Sequence, residues 1–293
     1  MLTRGLMVVA AVLMLSTAGA DTAWAQKAKT KGPAPSQQTT TEPAVSQLDP
    51  HDAKDLAEII SEADAAYFVD EGKTPDYEYA FKMYSLAAEG DDAYAINRVG
   101  LMYDRGEYVA QDFGKAFDAY KQAADLGLPA AMNNVANMYQ AGDGVDQDYR
   151  EALRWYQKAS DGGYAYSMYV IGDMYLAGQG VTENHQEAAE WYQKAVDGGE
   201  PNAYWALSLR YLYGDGVGKD ELQAANLAYS ALTHGVEVTL DELKKIEDAD
   251  TSPSYRREFQ QLLKRDGFYT GAVDGDFGPS TMRAIEAAFN SES

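Results

Sequence analysis

From about residue 77 to residue 235 the apolar positions recur on two scales. Within a helix-length window they fall three and four residues apart, and the whole pattern then returns every 36 residues. In the first full unit, Ala95, Val99, Met102 and Tyr103 have the i, i+4, i+7, i+8 spacing of one buried stripe, which predicts a helix over roughly 93–105. Ala116, Tyr120 and Ala123 form the stripe of a second helix, roughly 113–126. Gly106 and Gly127 stand where these helices should stop, since glycine accepts the positive φ of a helix C-cap. Asp112, and Asp148 one unit later, offer an oxygen to the free N–H groups of the second helix.

The same residue types return in register. Gly106, Gly142, Gly178 and Gly214 form one column, and Tyr103, Tyr139, Tyr175 and Tyr211 another. Val109, Val145, Val181 and Val217 repeat, as do Ala116, Ala152, Ala188 and Ala224, and Ala123, Ala159, Ala195 and Ala231. Gly127, Gly163, Gly199 and Gly235 close each unit, and a half unit, Ala80, Tyr84 and Ala87, comes before the set. A hairpin of two helices cannot bury its apolar face alone, so the pattern predicts an all-α solenoid in which each hairpin packs on its neighbours.

The blocks "AMNNVANMYQAGDGVDQDYREALRWYQKASDGG" at 131–163 and "SMYVIGDMYLAGQGVTENHQEAAEWYQKAVDGG" at 167–199 carry a resemblance to the Sel-one-like repeat, a relative of the tetratricopeptide repeat. The resemblance covers about 77–235 and implies a right-handed α-solenoid that works as an adaptor holding other proteins. Two departures stand out. Tyr108 replaces the glycine found at Gly144, Gly180 and Gly216, which predicts an altered first loop, and Leu227-Ala228 replaces the Trp-Tyr pairs 155–156 and 191–192, as in a worn terminal repeat.

Residues 251–290 have a different pattern. Thr251-Ser252-Pro253 is a helix start; Phe259, Leu262 and Leu263 share a face; Gly267 stops the helix; Gly271, Gly275 and Gly278 make turns. Ser280 or Thr281 is expected to cap a last helix that turns Met282, Ile285 and Phe289 inward. The ordered set Gln260, Leu263, Gly267, Tyr269, Gly271, Val273, Asp274, Gly275, Phe277, Gly278, Thr281, Ala284, Ile285 and Phe289 resembles the common peptidoglycan-binding module. That module ordinarily begins with a further helix; here only Leu240 to Glu247, or the end of the stack, could supply it. Tyr269, Asp274 and Phe277 are the candidate ligand residues, because an aromatic ring can stack on the apolar face of a sugar. A calcium loop does not fit: Pro279 and Ile285 stand where the sixth and twelfth positions need Gly and Glu.

Residues 1–25 read as a secretory signal, with Arg4 before the short apolar run Leu6 to Leu15 and small residues around Ala23-Trp24-Ala25. Residues 26–50, rich in Gln, Thr, Pro, Ser and Lys, read as a disordered linker. The expected organisation is therefore signal peptide 1–25, linker 26–50, repeats 51–235, connector 236–250 and terminal module 251–293, in a periplasmic protein. A formal charge of −22 opposes nucleic-acid or anionic-lipid binding and favours basic protein partners.

The chain has no cysteine, and His51, His185 and His234 share no motif with a nucleophile or acid. No phosphate loop, dinucleotide fingerprint or zinc-protease helix occurs, so no catalytic residue, cofactor or metal is expected. Partner selection should fall to the first-helix face opposite the buried stripe, where Asn97, Arg98, Asn133, Asn134, Asn137, Tyr169 and Trp205 are the candidates. The function expected is an exported, non-enzymatic adaptor that grips a protein and touches the cell wall. Its alternatives are a periplasmic regulator of a kinase sensor domain and the targeting subunit of a wall-modifying enzyme.

Overall fold

The computed structural model describes residues 48–70, 72–245 and 251–291, and among them the regular structure is entirely helical. The signal and most of the linker expected at 1–50 lie outside the described residues, as does 246–250. Two compact units divide between Gly162 and Gly163, and each is described on its own.

The first unit holds α1 (Ala53–Tyr67), α2 (Tyr77–Glu89), α3 (Ala93–Arg105), α4 (Phe113–Asp125), α5 (Pro129–Ala141) and α6 (Tyr149–Asp161). They pair as hairpins: α1 with α2, α3 with α4, α5 with α6. The sequence showed only half of the first hairpin. Its opening helix α1 is present and packs through Ile59, Ala63 and Tyr67 against Ala80, Met83, Tyr84 and Ala87. Its Ile59, Ala63 and Tyr67 keep the 36-residue interval to Ala95, Val99 and Tyr103, but Asp70 and Lys73 stand where the later units carry the glycine and valine columns, and that hid it.

The local chemistry follows the columns. Asp112 and Asp148 cap α4 and α6 by accepting from Lys115 N, and from Arg150 and Glu151 N. Gly106 and Gly142 end α3 and α5 at φ 67° and 84°. The alanine columns are fully buried, which lets helices approach closely, and Tyr84, Tyr120 and Tyr156 fill the gaps between them. Each phenol donates back to the first helix of its own hairpin: Tyr84 to Asp64 Oδ1 (2.5 Å), Tyr120 to Asp104 Oδ2 (3.2 Å), and Tyr156 to one of Asn137 Oδ1 and Gln140 Oε1, each 2.6 Å away. These bonds satisfy hydroxyls that burial would otherwise leave unpaired.

The altered first loop is visible at Tyr108. It takes φ 64°, the conformation that Gly144 takes at 69°, and its ring lies 5.7 Å from that of Phe81. At Gly144 a Cβ would stand 2.3 Å from the carbonyl oxygen of Phe113, so only glycine fits there.

The second unit holds α7 (Ala165–Ala177), α8 (His185–Asp197), α9 (Pro201–Tyr213), α10 (Glu221–Thr233), α11 (Glu237–Lys245), α12 (Pro253–Arg265) and α13 (Pro279–Phe289). α7 pairs with α8 and α9 with α10, and α12 then packs directly on α10. One core joins Trp205, Leu209, Leu212, Ala225, Ala228 and Tyr229 to Leu243, Tyr255, Phe259, Leu263 and Ile285. The helix expected ahead of the terminal module is therefore supplied by the last repeat, with α11 packed against α10 and α13. The Leu227-Ala228 departure also has a structural reason: Ala228 is fully buried, and the adjacent Tyr229 sets its ring 5.6 Å from Phe259 and donates to Asp266 Oδ2 at 2.7 Å. The last hairpin is reshaped to receive α12.

The start of α12 is as read, with Ser252 Oγ accepting from Tyr255 N. The start of α13 differs. Gly278 is its N-cap without a side-chain bond, Pro279 opens the helix, and neither Ser280 nor Thr281 caps it; Thr281 Oγ1 instead donates to the Asp276 carbonyl at 3.0 Å.

Candidate functional site

Within each unit, α3, α5 and α9 pack on their own partner helix and also on the helix before it. Each therefore buries more than one stripe, and the face expected to be open is largely covered. Asn97 and Asn133 are buried, as are Tyr169 and Trp205, while Arg98 and Asn134 are half-buried and only Asn137 is exposed.

In the first unit these residues build a polar seam. Asn134 Nδ2 donates to Asn97 Oδ1 at 2.9 Å, joining α5 to α3, and Asn137 is held by Tyr156. The Arg98 guanidinium lies 4.1 Å from the Tyr67 ring centroid, 4.7 Å from Phe68 and 5.5 Å from Tyr84. Cation–π attraction to three rings fixes its place. The Tyr67 phenol, desolvated and donating to Glu107, is pushed up to about 12.

In the second unit the same face carries a tyrosine–carboxylate cluster. Tyr169 lies 6.0 Å from Tyr166 and 5.9 Å from Tyr192, centroid to centroid. Asp173, only 5% exposed, accepts from Tyr192 through Oδ1 at 2.6 Å. The Tyr169 hydroxyl also interacts with the same carboxylate, and Oδ2 is buried with no hydrogen bond of good geometry. Burial pushes Asp173 up to about 7, against the opposing pull of Tyr192, Tyr169 and Arg210. Glu200, the N-cap of α9, is also raised by burial, although Asn202 N and Nδ2 both donate to its Oε1.

Arg210 marks a break in a column. Met102, Met138 and Met174 precede it at the repeat interval, and all are buried; Arg210 is buried in their place. It pairs with Asp215, which in turn contacts His185 Nδ1, while His185 Nε2 meets Glu183 Oε1 at 2.8 Å. Burial lowers the affinity of His185 for its proton, but bonding to Asp215 and Glu183 outweighs this and the imidazole is raised above its usual value. The methionine column was readable in the sequence, and a charged residue at a buried position is a signal that periodicity alone passes over.

In the terminal module, Gln260 is fully buried and organises the loop between α12 and α13. Its Oε1 accepts from Gly275 N at 2.8 Å; its Nε2 faces the Asp276 carbonyl at 2.8 Å, Asp274 Oδ1 at 3.0 Å and Thr281 Oγ1 at 3.1 Å. Arg256, also buried, donates from Nε to the Gly275 carbonyl at 2.6 Å. Tyr269 is placed inside rather than at the surface, with its hydroxyl donating to the Ala272 carbonyl at 2.9 Å. Phe277 packs edge-on against Phe259 at 5.7 Å and is half-buried. Asp274 is exposed, yet its carboxylate accepts from Asp276 N and Gln260, which hold it below the usual carboxylate range. Of the three ligand candidates, Tyr269 is buried, Phe277 keeps part of its ring open while packing on Phe259, and Asp274 is exposed.

No helix among the described residues is long and apolar enough to cross a membrane. The model of the "Sel1 repeat" family matches five times, at 60–92, 93–128, 129–164, 165–200 and 201–236, and that of the "Putative peptidoglycan binding domain" matches 252–288. Among solved structures, c5321 of uropathogenic Escherichia coli, a protective antigen displaying an SLR fold, aligns at 29% identity and a TM-score of 0.62 over 76% of this chain and 48% of its own. A Sel1 repeat protein from Oxalobacter formigenes aligns at 28% identity and a TM-score of 0.59 over 66% of this chain and 58% of its own. The chain thus spans about half the length of these structural relatives. Among curated proteins no sequence matches.

Proposed function

We propose, since this chain belongs to the Sel1 repeat family, that it is an exported, non-enzymatic adaptor whose hairpins hold a protein partner while its terminal module contacts peptidoglycan. Sel1 repeats imply protein–protein interaction, and the terminal domain points to peptidoglycan. The observation that carries the combined reading is the shared core of α9, α10, α12 and α13, which makes the wall-directed module continuous with the last repeat. The excess of acidic side chains favours a basic partner. The apolar run Leu6 to Leu15 supports export to the periplasm. The first-helix face of each unit is the proposed partner surface: in the first, Asn137, Asn134 and Arg98 are the more accessible members with Asn97 and Asn133 beneath, and in the second Tyr169 and Trp205 are its buried members. In the module, Asp274 is the accessible ligand candidate, with Tyr269 and Phe277 supporting its loop.

The test uses the full chain after removal of 1–25, because residues 251–291 share their core with α9 and α10. The reading expects it to pellet with purified sacculi and to release no soluble muropeptides. In cells, a photo-crosslinker at Asn137 should trap one protein reproducibly. A chain that stays in the supernatant with intact sacculi removes the wall contact; muropeptide release replaces the adaptor by an enzyme.

A further inference from the structure

The tyrosine–carboxylate cluster of α7–α9 holds two carboxyl groups that burial disfavours in their charged form and that no cation bonds among the described residues. Asp173 and Glu200 both have restricted access to water, and neither has a cationic nitrogen within ion-pairing distance among the described residues. Arg210, whose charge acts on Asp173, pairs with Asp215 through Nη1, while its Nε is buried without a partner. Asp173 Oδ2 is buried without a hydrogen bond, and so is the indole Nε1 of Trp205, which occupies the column of Tyr169 one repeat later. The orphaned acceptor stands beside the ring of Tyr169, which neighbours Tyr166, and the orphaned donor occupies the equivalent column on α9. Buried polar atoms in native proteins are otherwise almost always paired.

One kind of group answers all of these features. An arginine or lysine side chain supplies N–H donors to a carboxylate and is attracted to aromatic faces. The backbone carbonyl it brings with it is an acceptor for an indole N–H. We propose that Asp173 and Glu200, with the rings of Tyr166, Tyr169 and Trp205, form a receptor for a cationic side chain, arginine or lysine, presented by the protein partner. This rests on the adaptor reading and gives it a chemical criterion: the partner inserts a basic residue between α7 and α9. Glu200, partly exposed at the start of α9, meets the cation on entry, and Asp173 holds it further in.

The probe is the capped tripeptide acetyl-Gly-Arg-Gly-amide, added to the full chain while the side-chain indole N–H signals are followed by NMR. Its isostere with citrulline in place of arginine has the same shape without the charge. The arginine probe should move the Trp205 signal, assigned by its loss in Trp205→Phe, in a saturable way, and the citrulline probe should not. Asp173→Asn, whose folding is checked by circular dichroism, should weaken the arginine probe by about tenfold or more. Glu200→Gln should weaken it by about twofold to fivefold, as expected for a less buried partner. No saturable shift, equal binding of citrulline, or an undiminished response in Asp173→Asn each overturns the receptor. The adaptor reading is judged separately: if the Asn137 crosslink forms in the wild type and equally in Asp173→Asn, the receptor falls and the adaptor stands. If no crosslink forms while the arginine probe still binds, the adaptor falls and the receptor stands.

Discussion

Replacing Asp173 by asparagine removes a buried charge and keeps the shape, since an amide oxygen still accepts from Tyr192. The carboxyl is raised from 3.8 to about 7 in the folded chain, first of all by burial. Between those values the folded state keeps a proton that the unfolded state has released, so stability falls as pH rises. This group's contribution is full below about pH 4, declines from there to about pH 7, and then levels off. A shift of this size corresponds to at most about 4 kcal/mol. Against it, the new amide nitrogen takes the place of the unpartnered Oδ2 and is left poorly bonded, at a cost of about 1–3 kcal/mol. At pH 8 Asp173→Asn should therefore be more stable than the wild type by about 1–3 kcal/mol, with the order reversed near pH 4. Urea titrations from pH 4 to 8.5 measure this, with hydrogen exchange of the α7 and α8 amides reporting the local stability, because stacked hairpins need not unfold in one step. Parallel pH profiles for the two proteins would show that Asp173 is not held protonated and would refute the reasoning.

Three further expectations separate other features. Gly144→Ala and Gly127→Ala both place a side chain at positive φ, but the first also drives Cβ to 2.3 Å from the Phe113 carbonyl oxygen while the second meets nothing within 4 Å; denaturant titration should show losses of roughly 3 kcal/mol or more and about 1 kcal/mol respectively. Gln260→Ala leaves Gly275 N without its buried acceptor and the Asp276 carbonyl with Thr281 alone, and should cost about 2–4 kcal/mol, seen as early hydrogen exchange of α12, α13 and α10 together. His185 has a folded pKa above its unfolded value, so its link to Asp215 is at full strength below about pH 6.5 and is lost as pH rises through the higher folded value; His185→Gln should remove that slope, a small one because the ring is more than a third exposed.

The hairpins were legible because their stops are chemical as well as hydrophobic. Glycine at each αL cap and aspartate or asparagine at the second-helix caps mark the ends at a constant interval. The open face was not legible in the same way. Periodicity finds a helix's most apolar side, but Asn97, Asn133 and Tyr169 are covered by neighbouring helices, and apolar spacing does not register a second packing direction. α1 escaped because Asp70 and Lys73 replace the glycine and valine that mark the loop of later units, although Ile59 and Ala63 hold the interval and pack as later rungs do. The terminal module's own pattern located its helices. That Tyr229 and Ala228 form its floor was not visible, because the contact joins segments about thirty residues apart whose apolar residues each suit a self-contained hairpin equally well.

Stacked hairpins ordinarily face an end-of-row problem: the final member has an apolar flank with no successor to cover it. Here α12 lies over that flank, with Phe259 and Leu263 against α10. A chain stopped after Lys245 would bare this surface and tend to self-associate, tip against tip, so the terminal helices double as the plug over the row's open end.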